Sequence, residues 1–228
     1  MDTPAPYSLP FIVGNRYVLS SVLNETPDTV LYSANQKDMR REVVVESLRP
    51  TAMQNPLCVQ EFLDTARAQT RMGGGPIAST LELLYAEDTW HLARERVEGV
   101  PLDEMVKSGD KLPASDVCEL MLLLCRTCIK MDIENIAGAK FMLQHLYFIN
   151  PGFRLRNPAL AGKRSRNTSR RVLISAASDL QPLVDASSPH AAELQAILRR
   201  MQYPSDWSTL SPLFYDEELV RLQQKFAE

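Results

Sequence analysis

Arg41–Leu48 reads R-E-V-V-V-E-S-L, three consecutive valines set between charged residues. So short a β-branched run predicts a buried strand. Upstream, Tyr17–Leu23 and Thr29–Ala34 read as two more strands, joined by the turn chemistry of N-E-T-P-D. Downstream, the stretch Gln60–Met72 is amphipathic, and Gly73-Gly74-Gly75-Pro76 stops that helix emphatically. Ile77–Tyr85 and Thr89–Val97 complete the pattern as strands, so this part of the chain is β-rich with one helix inserted.

Composition bounds the rest. The chain has 228 residues, enough for one full core or two lobes, with 45% hydrophobic and 23% charged residues, ordinary for a globular protein. A net charge of −3 and a pI near 5.7 argue against general binding to nucleic acid or acidic membranes. No run of about 18 apolar residues is present, so no membrane span is expected. The start, M-D-T-P-A-P-Y-S-L-P, lacks the basic n-region of a secretory signal, and Met1–Gly14 is expected to be an extended lead-in whose Phe11–Val13 can join the first lobe. Cys118, Cys125 and Cys128 lie on the apolar stripe of a strongly helical run, Ser115–Met131. They read as core residues, because no second C-x-x-C completes a zinc site with Cys125 and Cys128. Without a disulfide pattern, a cytoplasmic setting is expected.

Y-V-L-S-S-V-L-N-E-T-P-D-T-V-L-Y-S-A followed by R-R-E-V-V-V-E-S-L resembles the first three strands of a protein kinase. Thr89–Val106 is similar to a kinase hinge, with Arg94 at the gatekeeper place. The resemblance is to bacterial serine/threonine kinases, clearest over Tyr17–Leu48 and weaker toward Ala161. It implies an α+β, two-lobed protein-kinase-like fold: a lead-in (1–14), a five-stranded β-rich N-lobe (15–97) and an abbreviated helical C-lobe (98–228) with a basic loop (162–171).

The departures fall where that family does chemistry. Asn24, Thr26 and Thr29 replace the glycines that let backbone approach the phosphates. Glu46 takes the place of the lysine that holds them, and Thr65 that of its glutamate partner, with Asp64 pointing elsewhere about 100° around the helix. A carboxylate at position 46 repels phosphate in a partly dry site, so ATP in its usual pose is disfavoured. Arg94 can fill the back of that pocket and pair with Glu46 or Glu95; alternatively it faces outward. Gly138, Ala139, Lys140 and His145 stand at the catalytic-loop places, and Asn157, Pro158 and Ala159 replace D-F-G. No carboxylate base remains there, and asparagine is a weak magnesium ligand.

G-K-R-S-R-N-T-S-R-R (Gly162–Arg171) carries five basic residues, Lys163, Arg164, Arg166, Arg170 and Arg171. It reads as a solvated loop, as a dock for an acidic or phosphorylated partner, or as a segment phosphorylated at Ser165, Thr168 or Ser169. Interleaved aromatics that would suit nucleic acid are missing. Beyond it, Ser188-Pro189 should open a helix and Asp216 should cap the last one, with Trp207, Leu210, Leu213 and Phe214 as packing or docking residues.

The resemblance with these losses implies a pseudokinase: no enzyme, no cofactor, no ATP or magnesium, and a scaffold or regulatory role through protein partners. The alternative is an atypical nucleotide-binding transferase that reuses Lys140, His145 and Glu46. A pocket for another small ligand is a third reading.

Overall fold

The computed structural model describes residues 6–138, 141–162, 168–204 and 211–227. Lys140, Lys163, Arg164, Ser165, Arg166, Trp207 and Leu210 lie outside them, as does the side chain of Thr168. The chain divides into two compact units, Met1–Arg96 with Ala159–Gly162, and Val97–Pro158 with Lys163–Glu228.

The first unit is built on an antiparallel sheet in the order β1-β2-β3-β4-β6-β5. Its strands are β1 (Phe11–Val13), β2 (Tyr17–Glu25), β3 (Thr29–Gln36), β4 (Arg41–Leu48), β5 (Thr80–Ala86) and β6 (Thr89–Glu95). β1 comes from the expected lead-in: Phe11 pairs with Leu19 and Val13 with Tyr17, so five strands become six. Alternation along β4 assigns its two faces. Val43 and Val45 join Val13, Tyr17, Leu19, Val30, Tyr32, Ala34 and Ala93 in one fully buried cluster. Leu48 packs on the other face with Leu92 of β6, Ala52 of the short helix α1 (Pro50–Met53) and Phe62 and Ala66 of α2 (Pro56–Met72). α2 is capped by Asn55, whose side chain accepts from the Leu57 amide, carries Pro56 in its first turn, and ends at Gly73. The strand anticipated from Ile77 begins at Thr80, because Ile77 is spent on a turn that bonds it to Gly74.

In the second unit, Val100–Pro101, Leu146–Phe148 and Phe153–Leu155 form a small antiparallel sheet. Gly99 precedes it at φ +122°, where a Cβ would sit 2.5 Å from the Phe148 carbonyl oxygen, so only glycine fits there. Helix α3 (Leu102–Ser108) stops at left-handed Gly109, and α4 (Ala114–Ile133) is the central helix, with Val117, Cys118, Leu120, Met121, Leu124, Cys125 and Cys128 all fully buried. Burial pushes the Cys118 thiol up to about 12 and raises Cys125 further, as expected of inert core cysteines.

V-L-I-S-A-A-S-D-L belongs to helix α5 (Thr168–Leu180), anchored where the Ser169 hydroxyl donates to both Asp132 carboxylate oxygens at 2.7 and 2.8 Å. Two helical expectations are corrected. α6 (Ala191–Gln202) starts after His190 rather than at Pro189, because His190 takes a left-handed φ of 56°. α7 (Pro212–Lys225) starts just after its N-cap residue Ser211. Asp216 therefore lies inside it and, instead of capping, pairs with Arg126 of α4 at 2.9 Å.

Candidate functional site

Strand register decides what surrounds Glu46. Leu31 of β3 and Leu92 of β6 lie directly opposite it, which puts Thr29 and Arg94 on its two diagonals. Diagonal neighbours on one face of a sheet are within reach of long side chains. Arg94 Nη2 donates to Glu46 Oε2 at 2.6 Å, and the Thr29 hydroxyl donates to Glu46 Oε1 at 3.0 Å. Both members of the ion pair are largely shielded, at 13% and 25% side-chain exposure. Of the two orientations open to Arg94, the structure takes the inward one, and its partner is Glu46. Nη1 of the same guanidinium reaches Gln69 Oε1 on α2 at 3.3 Å, and Gln69 in turn donates to the Ala159 carbonyl. The sheet is thus tied to the helix through an arginine on β6, with the carboxylate on β4.

The β2–β3 hairpin is fixed as firmly. Across its turn Thr26 N donates to the Thr29 carbonyl at 2.9 Å, and Thr29 N donates to the Thr26 hydroxyl at 2.9 Å. Arg49, at 4% exposure, holds the turn from beneath: Nε donates to the Thr26 carbonyl at 3.0 Å, its amide to the Asp28 carbonyl at 2.8 Å, and Nη2 pairs with Glu25. Asn24 lies on β2 opposite Leu31, just past a register shift. A turn with these attachments has none of the freedom that glycines would give it.

Below the turn is a pocket of about 250 Å³. Leu48, Phe62, Leu92 and Leu160 supply its apolar wall, Thr26, Thr29 and Thr65 its hydroxyls, and Asp28, Glu46 and Glu61 its charge. Cys58 also lines it; burial first, then Asp28 and Glu61, raise its thiol above the ordinary value. Thr65 accepts a hydrogen bond from the Ala161 amide at 3.0 Å. Asp64 faces solvent with Gln60 and Arg67, and is no stand-in for a glutamate. Glu46, Thr26, Thr29 and Thr65 are therefore brought together.

Of the remaining sequence candidates, His145 and Asn157 belong to the second unit. The Arg156 amide donates to the His145 carbonyl at 2.8 Å, which brings these two segments side by side. His145 is half-buried, its pKa lowered by that burial and by Arg156. Asn157 is buried at 8% exposure. Arg170 and Arg171 lie in the first turn of α5, not in a loop, because the helix already begins at Thr168. Among the described residues no group of His, Cys, Asp and Glu is placed to hold a metal ion, and no described helix is long and apolar enough to cross a membrane.

Sequence reasoning did not single out Arg49, Gln69, Cys58 or Glu61. A cation before Pro50, at a strand's end, is a weak signal for Arg49. Nothing local marks the other three.

No protein-family model matches the chain. A probable serine/threonine-protein kinase of Clostridium perfringens is 28% identical over 102 residues, 45% of this chain and 15% of that protein. The chain thus spans a small part of that relative's length. The solved PknI kinase domain of Mycobacterium tuberculosis superposes with a TM-score of 0.65 at 12% identity, covering 95% of this chain and 99% of that one. A cysteine variant of the same domain gives 0.66 at 11%, covering 96% and 100%. The expectation that the chain is not an enzyme is corrected by these likenesses, since the relative is named a kinase and the solved neighbours are kinase domains. Missing motif residues were too narrow a basis, because a fold fixes where groups can be placed and different side chains can then supply the chemistry. By fold, and by its likeness to a serine/threonine kinase across 45% of its length, the chain is protein-kinase-like.

Proposed function

We propose that the chain is a regulatory, partner-binding module on the kinase-like fold, with protein partners in place of the usual nucleotide pose. One observation carries this reading: the place where kinases hold a phosphate-binding lysine is taken by Glu46, whose two oxygens are already engaged by Arg94 and Thr29. A triphosphate brought there meets a carboxylate, two further acids in the same pocket, and a hairpin clamped by Arg49. Like charge from Asp28 and Glu61 at the pocket opposes phosphate binding there.

The name of the Clostridium relative favours a second reading, an atypical nucleotide-binding transferase. It would bind nucleotide in an orientation other than the usual one. Thermal-shift titration with ATP, with and without magnesium, separates the two when run beside a radiolabelled phosphate-transfer assay. A bound nucleotide stabilises by roughly 2.7 kcal/mol at about 100 times its dissociation constant. An unmoved midpoint at millimolar ATP supports the partner-binding module. A magnesium-dependent rise together with label transfer establishes the transferase instead.

A further inference from the structure

The pocket under the β2–β3 hairpin is inverted in charge relative to what a phosphate site requires. Its lining contains three carboxylates, no basic side chain, and an apolar wall that includes Leu160, itself 43% exposed. Glu46 is neutralised by Arg94. Asp28 and Glu61 stand on different elements, the hairpin turn and α2, and among the described residues neither carboxylate is paired with a cation. Asp28 accepts only a long contact of 3.9 Å from the Cys58 thiol. Two uncompensated acids above an apolar wall suit one chemical class, a cationic head on an apolar stem. Lysine and arginine side chains have this form, burying the methylenes while the charge stays at the rim. The volume of about 250 Å³ suits a side chain of that size rather than a nucleotide.

We propose that this pocket receives a lysine or arginine side chain from a basic segment of a protein partner. The inference rests on the partner-binding reading above and gives that reading a place and a chemistry. Asp28 and Glu61 are the charged contacts, the three threonine hydroxyls are polar acceptors, and Leu48, Phe62, Leu92 and Leu160 hold the stem. The Glu46–Arg94 pair forms the inner end and keeps the cation at the outer acids.

Cys58 makes the test direct. It lines the pocket and is partly exposed, whereas Cys118, Cys125 and Cys128 are buried. The full chain is reacted with a maleimide, alone and with a lysine- and arginine-rich dodecapeptide, and peptide affinity is measured by calorimetry at low and high salt. The expected result is saturable binding, weakened by salt, that protects Cys58 and falls about tenfold in Glu61→Gln and further in Asp28→Asn/Glu61→Gln. In both variants the unliganded thiol should react faster, since the acids that raise it are gone. Glu104→Gln, at an exposed position of α3, should bind as the unaltered chain does. Because Asp28 and Glu61 are exposed, the variants should keep the unaltered melting midpoint; Glu61→Gln alone suffices if the double variant does not. Equal binding of a glutamate-substituted peptide, or undiminished binding by Glu61→Gln, would overturn the proposal, as would binding that leaves Cys58 unprotected. Any of these leaves the partner-binding module itself standing, since that reading fails on magnesium-dependent ATP binding and label transfer.

Discussion

The two units hold their polar candidate residues in opposite ways. In the first, a charge is kept and fully engaged: Arg94 and Thr29 occupy both oxygens of Glu46. In the second, the candidates are His145, half-buried with its pKa lowered, and Asn157, a buried neutral amide. A shielded ion depends on its partner, whereas a neutral polar group needs only hydrogen bonds. The first unit should therefore be fragile to single substitutions in its network, and the second should register mainly in its response to pH.

The largest effect is expected from Glu46→Ala, which leaves the Arg94 guanidinium shielded without its carboxylate. The loss should be about 3 kcal/mol in urea denaturation. Glu46→Leu combined with Arg94→Met should come within about 1 kcal/mol of the unaltered chain, since two apolar groups of similar size remove the desolvation cost along with the attraction. Additive losses in the double variant would mean that the two side chains are not coupled, and the contrast between the units would lose its basis.

Arg49→Met tests the same unit at the hairpin. It removes the donor to the Thr26 carbonyl and the partner of Glu25 from a buried site. About 2 kcal/mol of stability should go, and amide exchange over residues 25–29 should speed up while α4 is unchanged. Uniform acceleration throughout would show that the clamp supports the whole molecule rather than the turn.

The smallest effect, a response to pH, is shared by the two units and tests where their contrast ends. Each unit holds a histidine whose pKa is lowered from 6.5 chiefly by burial: His91 in the first, bonded to Ser47 at 2.7 Å and the Ala86 carbonyl at 3.1 Å, and His145 in the second. Below that value the unfolded imidazole takes up a proton that the folded one resists. The unfolded state then binds more protons, so stability is fully present above about pH 6.5 and declines as pH falls below it. In melts between pH 8 and 5, His145→Gln and His91→Gln should each flatten part of the decline. An unchanged slope in both would assign the acid sensitivity to carboxylates.

Much of the architecture was legible in local pattern. The three valines of β4, the two strands flanking N-E-T-P-D, the glycine stop after α2 and the wide apolar stripe of α4 all sit where the local signals placed them. The errors came where neighbours overrode local signals. His190, in a left-handed conformation, moved the start of α6 past Pro189, and Asp216 was drawn from capping to an arginine on another helix. At the candidate site the sequence marked Glu46, Thr26, Thr29 and Thr65 as departures but left the orientation of Arg94 open.

By itself, then, the sequence determined the succession of strands and helices, their buried faces, and the presence of an acid, Glu46, within β4. These follow from short-range periodicity and from residue identity, which neighbours a few positions away define. Only the tertiary structure decided what that acid does. Its arginine lies 48 residues further along, and the hairpin's buried clamp 23 residues from the carbonyl it holds, so register and packing bring together charges that spacing alone could not pair.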